Sequence, residues 1–138
     1  MEKSFRELIE EAYGAFPRGD IEFLLEHSDP EIEIIESPSL PGAQTYRGHE
    51  GLRRAIENWA GEWDEFGIDL ERVIDAGRER VITVARHHGR GRSSGAVVET
   101  RVVNVHTGRR GKGIRWEMFS SLDEAFAAIG LRKLKGER

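Results

Sequence analysis

The chain contains no cysteine. That excludes disulfide bridges, thiol nucleophiles and cysteine-ligated metals. Long apolar runs are missing too: none approaches the roughly 18 residues that a membrane-spanning helix needs. Amide side chains are scarce, with Gln44, Asn58 and Asn104 standing beside abundant Arg and Glu. This bias fits a heat-adapted or GC-rich source and carries no functional information. The opening stretch "MEKSFRELIEEAYGAF" is acidic and amphipathic, the wrong character for a secretory or transit signal. A cytoplasmic protein without membrane contact is the expectation.

What is present is enough for one domain. In 138 residues, 38% are apolar and 33% charged, so a chain of this length buries roughly two-thirds of its unfolded surface in a single core. We place the domain at residues 1–131 and a C-terminal tail at 132–138. The net charge of −4 is unevenly spread. Residues 1–36 hold eleven carboxylates against three basic residues, whereas residues 78–115 hold nine arginines and a lysine against Glu79 and Glu99. An arginine-rich segment invites a nucleic-acid reading. Aromatics do not interleave with these arginines as a stacking platform requires. The expectation is a solvent-facing side of a sheet, its arginines paired with neighbouring carboxylates, and no nucleic acid.

Periodicity divides the chain. Phe5, Leu8, Ile9, Ala12 and Phe16 predict a helix over 3–16, stopped by Pro17. Asp20 is an N-cap for a short helix that ends near His27. "EIEIIES" is a strand by its β-branched content, and "SPSLPGAQTYRG" is a loop. Leu52, Ala55, Ile56, Trp59, Trp63 and Phe66 share one helical face, predicting a helix over 49–66. The period then changes to two. "IDLERVIDAG", "RVITVARHHG", "AVVETRVVNVHTG" and "GIRWEMFS" are four strands joined by glycine-containing turns. "SLDE" is a capping-box motif opening a last short helix that Gly130 ends. Helices first and a meander afterwards predict an α+β fold, a curved antiparallel sheet wrapped around three N-terminal helices. Such a cone has an open end suited to an internal ligand pocket.

"RGDIEFLLEHSDPEIEI", "YRGHEGLRRAIENW", "DAGRERVITVARHHGRG" and "GKGIRWEMFSSLDEAFAAIGL", in that order, resemble the SnoaL-like group of the nuclear-transport-factor-2-like superfamily. The resemblance covers nearly the whole chain. It implies the cone, a pocket lined by one face of the sheet, and a homodimer through the opposite face. It does not select a function, because this fold serves cyclases, isomerases, hydrolases and non-catalytic binding modules.

The family's catalytic sets transfer incompletely. Cyclase-like and epoxide-hydrolase-like members carry a pocket aspartate after a Trp on the last strand. Aligned on the downstream "LDEA", that position is Met118; aligned on Trp116, it is Glu117. Strand alternation puts Trp116 and Met118 on one face and Glu117 on the other with Arg115 and Phe119. The isomerase-like tyrosine falls on Ala12 beside Tyr13, the base on Ser37 beside Glu36, and the oxyanion donor on Val103 or Asn104. Epoxide-hydrolase-like members place Arg and Asp where this chain has Ala85 and His87.

The remaining candidates for acid–base or binding chemistry are His87, Tyr13 and Asn104, with Glu117 and Glu36 as alternative acid–base groups. His87 is the imidazole that titrates near working pH, or an ordinary strand histidine. Tyr13 donates to a ligand oxygen, or simply caps the helices. Asn104 binds a ligand carbonyl, or is a core amide satisfied by its neighbours. Pocket walls are expected from Trp59, Trp63, Thr83, Ala85, Val102, Trp116 and Met118. His27, His49, His87, His88 and His106 have no convergent ligand spacing, so neither metal nor cofactor is expected. The leading reading is a homodimer holding a small, mostly apolar molecule. The alternatives are a cofactor-independent cyclase, isomerase or hydrolase, and a non-catalytic interaction module with a filled core.

Overall fold

The structure is a computed structural model that describes residues 3–38 and 42–130; the expected tail at 132–138 lies outside these. Three helices, α1 (Phe5–Ala15), α2 (Ile21–Glu26) and α3 (Gly48–Gly61), precede the long strands β3 (Trp63–Asp75), β4 (Arg80–Gly91), β5 (Val97–Arg109) and β6 (Lys112–Phe119). Strands β1 (Ser28–Glu36) and β2 (Thr45–Arg47) lie between α2 and α3, and α4 (Leu122–Ala128) closes the described chain. The order across the single curved sheet is β2-β1-β6-β5-β4-β3. Neighbours run antiparallel except β1 and β6, which pair in parallel with Ile34 beside Trp116.

Local chemistry explains the ends. Ser4 caps α1 by accepting from the Glu7 N–H while the Glu7 carboxylate accepts from the Ser4 N–H, a reciprocal box. Asp20 accepts from the Phe23 N–H at the start of α2. At α4, Ser121 accepts from the Glu124 N–H, but the Glu124 carboxylate turns back to Ser120 rather than to Ser121. The β5–β6 turn is the two-residue Arg110–Gly111, both with positive φ (54° and 81°), the twist that two-residue hairpins require. Glu79 braces it by accepting from both backbone N–H groups.

The two faces of the sheet are packed differently. Inside, Ile32, Ile34, Val102 and Met118 meet Leu52, Ala55 and Ile56 of α3, while Val81 and Ala85 meet Phe5, Ile9 and Tyr13 of α1. On the outer face, Ile82, Val84, Val103 and Val105 are covered by Ala125 and Phe126 of α4. Helix α4 is thus on the opposite side from the other three. Beyond it the outer face is charged: Arg86 pairs with Asp69, Glu71 and Glu99, Arg101 with Glu71, and Arg115 with Glu33 and Glu117. Six of the nine arginines of 78–115 have carboxylate partners in this way, Arg90, Arg92 and Arg109 being the others.

Two expectations are corrected. The third helix ends at Gly61, not Phe66, and Trp63 and Phe66 belong to β3. A β-bulge lies between Asp64 and Gly67, where three steps on β3 face two on β4, with Glu65 at φ 54°. The extra residue returns Phe66 to the face of Trp63, so a bulged strand imitates helical spacing. The other correction is β2, a three-residue edge strand inside the segment read as loop.

Candidate functional site

Strand alternation delivers Thr83, Ala85 and His87 of β4, and Val102, Asn104 and His106 of β5, to the inside of the cone, all of them buried. On β6 Trp116 and Met118 take the same side. Glu117 does not; its carboxylate lies 3.4 Å from Arg115 in the outer charge lattice. Glu36 is the last residue of β1, where its carboxylate accepts from the Gln44 N–H at 2.9 Å and straps down the segment before β2. Neither alternative carboxylate borders the cavity inside the cone.

That cavity has a volume of about 80 Å³ and an almost wholly apolar wall, including Ile9, Phe16, Leu24, Ile32, Leu52 and Trp116. Tyr13, His87 and His106 also border it. Phe5, Leu8, Phe23 and His27 are shared with a wider, open vestibule between α1, α2 and the β5–β6 turn, so the cavity reaches solvent on that side. Of the seven expected wall residues, Trp116 borders this cavity. Met118 and Val102 fill the core against α3, Ala85 packs under α1, and Thr83 is fully buried. Trp59 and Trp63 form an aromatic cluster with Phe66 and His87. Close packing explains the difference: each of these side chains is taken up by its own cluster and leaves no face for the cavity.

Five side chains, Tyr13, Thr83, Asn104, His106 and Trp116, join into one chain of hydrogen bonds. Tyr13 Oη lies 2.7 Å from Thr83 Oγ1 and 2.8 Å from His106 Nε2. Asn104 Nδ2 donates to Thr83 Oγ1 at 3.3 Å, and Trp116 Nε1 donates to Asn104 Oδ1 at 2.9 Å. Burial pushes the Tyr13 phenol well above its ordinary range, and the Thr83 hydrogen bond only partly opposes this. The phenol is therefore a neutral donor at working pH. Burial also drives His106 down to about 3, so its ring is neutral. Its plane stacks on Trp116 with centroids 5.6 Å apart.

His87 stands apart from this chain. Its ring packs against Trp59 and Phe66, with centroids 4.9 and 5.7 Å away. Burial, and secondarily the neighbouring His88, bring it down to about 4. Its Nδ1 is sealed from solvent with no hydrogen-bond partner, as is Trp63 Nε1 among the described residues. The geometry thus brings Tyr13 and Asn104 together through Thr83 and leaves His87 elsewhere on the wall. His106 is the member that sequence reasoning missed. Its signal was there: it follows Val102 and Asn104 at strand period, on the face of Thr83.

Residues 9–116 match the SnoaL-like domain family. Among solved structures, the chain is similar to a nuclear-transport-factor-2-like protein from Burkholderia thailandensis, with 29% identity over 93% of this chain and 98% of that one and a TM-score of 0.76. It is similar in fold to a candidate SnoaL-like polyketide cyclase from Jannaschia (18% identity, 96% and 99% covered, TM-score 0.75). A third similar fold is a ketosteroid-isomerase-like protein from Catenulispora acidiphila, solved with trimethylamine (13% identity, 91% and 94% covered, TM-score 0.72). A search of curated proteins finds no match.

Proposed function

The chain belongs to the SnoaL-like domain family, and from that premise we propose that it binds a small, mostly apolar molecule inside the cone. One observation carries this reading: a cavity of about 80 Å³ with an apolar wall, joined to an open vestibule. An apolar wall of this kind offers packing contacts to a guest of matching shape. The similar folds include a candidate cyclase and a protein holding trimethylamine, both consistent with a small guest. A thermal-shift screen against small ketones, epoxides, lactones and aromatic acids tests the proposal. A ligand at 100 times its dissociation constant adds about 2.7 kcal/mol, on the order of 10 °C for a domain of this size. Trp116→Ala, which alters the wall, changes the pattern of hits. A flat panel would falsify the reading and favour an interaction module.

A second reading, acid–base catalysis without a cofactor, rests on His87, whose ring borders the cavity and stands outside the buried hydrogen-bonded chain. Tyr13 and Asn104 are engaged with each other's partners and serve there as fixed neutral groups. Turnover of any hit from the screen, with a pH limb that disappears in His87→Gln, tests it. For the outer face, our proposal is a second copy of this chain. Its mixed-sign rows, with Arg86, Arg101 and Arg115 among Asp69, Glu71, Glu99 and Glu117, are complementary to themselves under two-fold rotation.

A further inference from the structure

The buried chain of hydrogen bonds has a direction, and Trp116 sets it. An indole N–H can only donate, so the oxygen of Asn104 is the atom that faces Trp116, at 2.9 Å. The Asn104 amide nitrogen is thereby turned toward Thr83, and it donates to Oγ1 at 3.3 Å and to the Val102 carbonyl at 3.4 Å. Thr83 is fully buried and already accepts from Asn104. Its hydroxyl hydrogen goes to the remaining contact, Tyr13 Oη at 2.7 Å. The phenol hydrogen then goes to His106 Nε2 at 2.8 Å. The reverse direction would leave the Thr83 hydrogen without an acceptor in a site closed to water, a cost that buried groups rarely bear.

His106 therefore accepts at Nε2 and, being neutral, carries its one hydrogen on Nδ1. That nitrogen makes no hydrogen bond among the described residues, yet it is absent from the unpartnered side-chain atoms sealed away from solvent, which are Trp63 Nε1 and His87 Nδ1. The ring borders the cavity. We propose that His106 presents an Nδ1–H donor to the cavity, held in that tautomer by the chain that begins at Trp116, and that the guest is a small neutral carbonyl compound whose oxygen accepts from it. This inference rests on the cavity-binding reading and specifies its ligand class.

The surroundings decide against an anion. Arg115 borders the cavity, but its guanidinium is directed to Glu33 and Glu117 outside the sheet. Ser28, also on the wall, gives its hydroxyl hydrogen to the Leu24 carbonyl at 2.7 Å. A carboxylate desolvated here would meet one neutral donor where it needs several. A ketone, aldehyde or lactone needs one. Size narrows the class further: a dry cavity of roughly 150 Å³ accepts the six carbons of benzene, so about 80 Å³ corresponds to about three or four non-hydrogen atoms, and the far edge of a small ring extends toward the vestibule.

The test uses the full chain, cyclopentanone, and methylenecyclopentane, its isostere with CH₂ in place of oxygen. In the free protein, ¹⁵N spectra of the imidazoles should show His106 protonated at Nδ1 and bare at Nε2. Cyclopentanone should shift the Nδ1 hydrogen, and methylenecyclopentane should not. The ratio of their affinities should fall about five- to tenfold in His106→Phe, the loss of one buried hydrogen bond. A hydrogen found on Nε2 in the free protein overturns the proposal without any variant having to fold. If both compounds bind and neither moves the Nδ1 hydrogen, the donor role is wrong and the cavity reading stands. If neither binds, the cavity reading fails and takes this inference with it.

Discussion

Trp116 and Asn104, on adjacent strands β6 and β5, are joined by a 2.9 Å hydrogen bond inside the cone, indole N–H to amide oxygen. Asn104 is the hinge of the buried polar chain, since its amide nitrogen continues to Thr83 and through it to Tyr13 and His106. Chains of this kind are stabilising when every member is satisfied and costly when one is removed.

Asn104→Leu therefore destabilises by more than its size suggests. It strands the Trp116 N–H and removes one of the partners of Thr83, each costing about 1–3 kcal/mol when buried. Equilibrium urea unfolding should show a loss of about 2–4 kcal/mol. Glu117→Gln, half-buried in the outer charge lattice but isosteric and paired with Arg115 at 3.4 Å, should cost less, on the order of 1 kcal/mol or below. Equal effects of the two would contradict the placement of these residues on opposite faces.

Acid should unfold the protein through its histidines. His87 and His106 fall from 6.5 to about 4 and about 3 on folding. Below 6.5 the unfolded chain takes up protons that the folded chain refuses, so stability declines as pH falls through the window from 6.5 to about 4. Each such group contributes up to about 1.4 kcal/mol per pH unit. His87→Phe should flatten the stability profile over this window by close to one proton. An unchanged slope would mean that His87 is protonated as readily folded as unfolded.

The β5–β6 turn stores strain at Arg110, whose φ of 54° suits Asn or Gly better than a long side chain. Arg110→Asn should raise stability by about 0.5–1 kcal/mol. Glu79→Ala, which removes the carboxylate from both turn N–H groups, should lower it by about 1 kcal/mol. Chemical denaturation of the two variants checks both signs.

Gly108 supports the floor under α1. A Cβ built there would lie 2.6 Å from the Phe5 ring, so Gly108→Ala must push Phe5 and the start of α1 away from the sheet. Because Phe5 borders both cavity and vestibule, the variant should lose about 1–3 kcal/mol and release any bound guest faster. Stopped-flow dissociation of a hit reads the second effect; an unaltered rate would place the entrance elsewhere.

If the outer face pairs two copies through Arg86, Arg101 and Arg115, light-scattering mass in dilute buffer should be that of a dimer. Arg101→Glu places a carboxylate next to Glu71, which then keeps only the more distant Arg86, and should shift the mass toward monomer. A monomer for the unaltered protein removes this proposal.

Much of the fold is legible in the sequence because period and turn chemistry agree along most of it. Alternation around Trp116 correctly sends Glu117 outward, and around Thr83 it sends Ala85 and His87 inward. It fails at Trp63 and Phe66, where a bulge adds a residue and converts strand period into helical spacing. It cannot say which face α4 covers, since Ala125 and Phe126 are apolar whichever side they meet. The site is less legible for a different reason. Tyr13, Thr83, Asn104, His106 and Trp116 come from α1, β4, β5 and β6, and only curvature of the sheet brings them within 3.3 Å of one another in sequence. His106 drew attention only as a poor metal ligand, because its real partner is a phenol 93 residues away.

The most direct test of the central claim fills the cavity from within. Ala12 lies on α1 at the cavity wall, and Ala12→Leu directs three further carbon atoms into the space. Thermal unfolding is followed for both proteins with and without a saturating hit from the screen. If the guest occupies this cavity, the variant is at least as stable as the original chain alone and has lost the ligand-induced rise of about 10 °C. A rise that survives Ala12→Leu undiminished would contradict the account and place binding outside the cone.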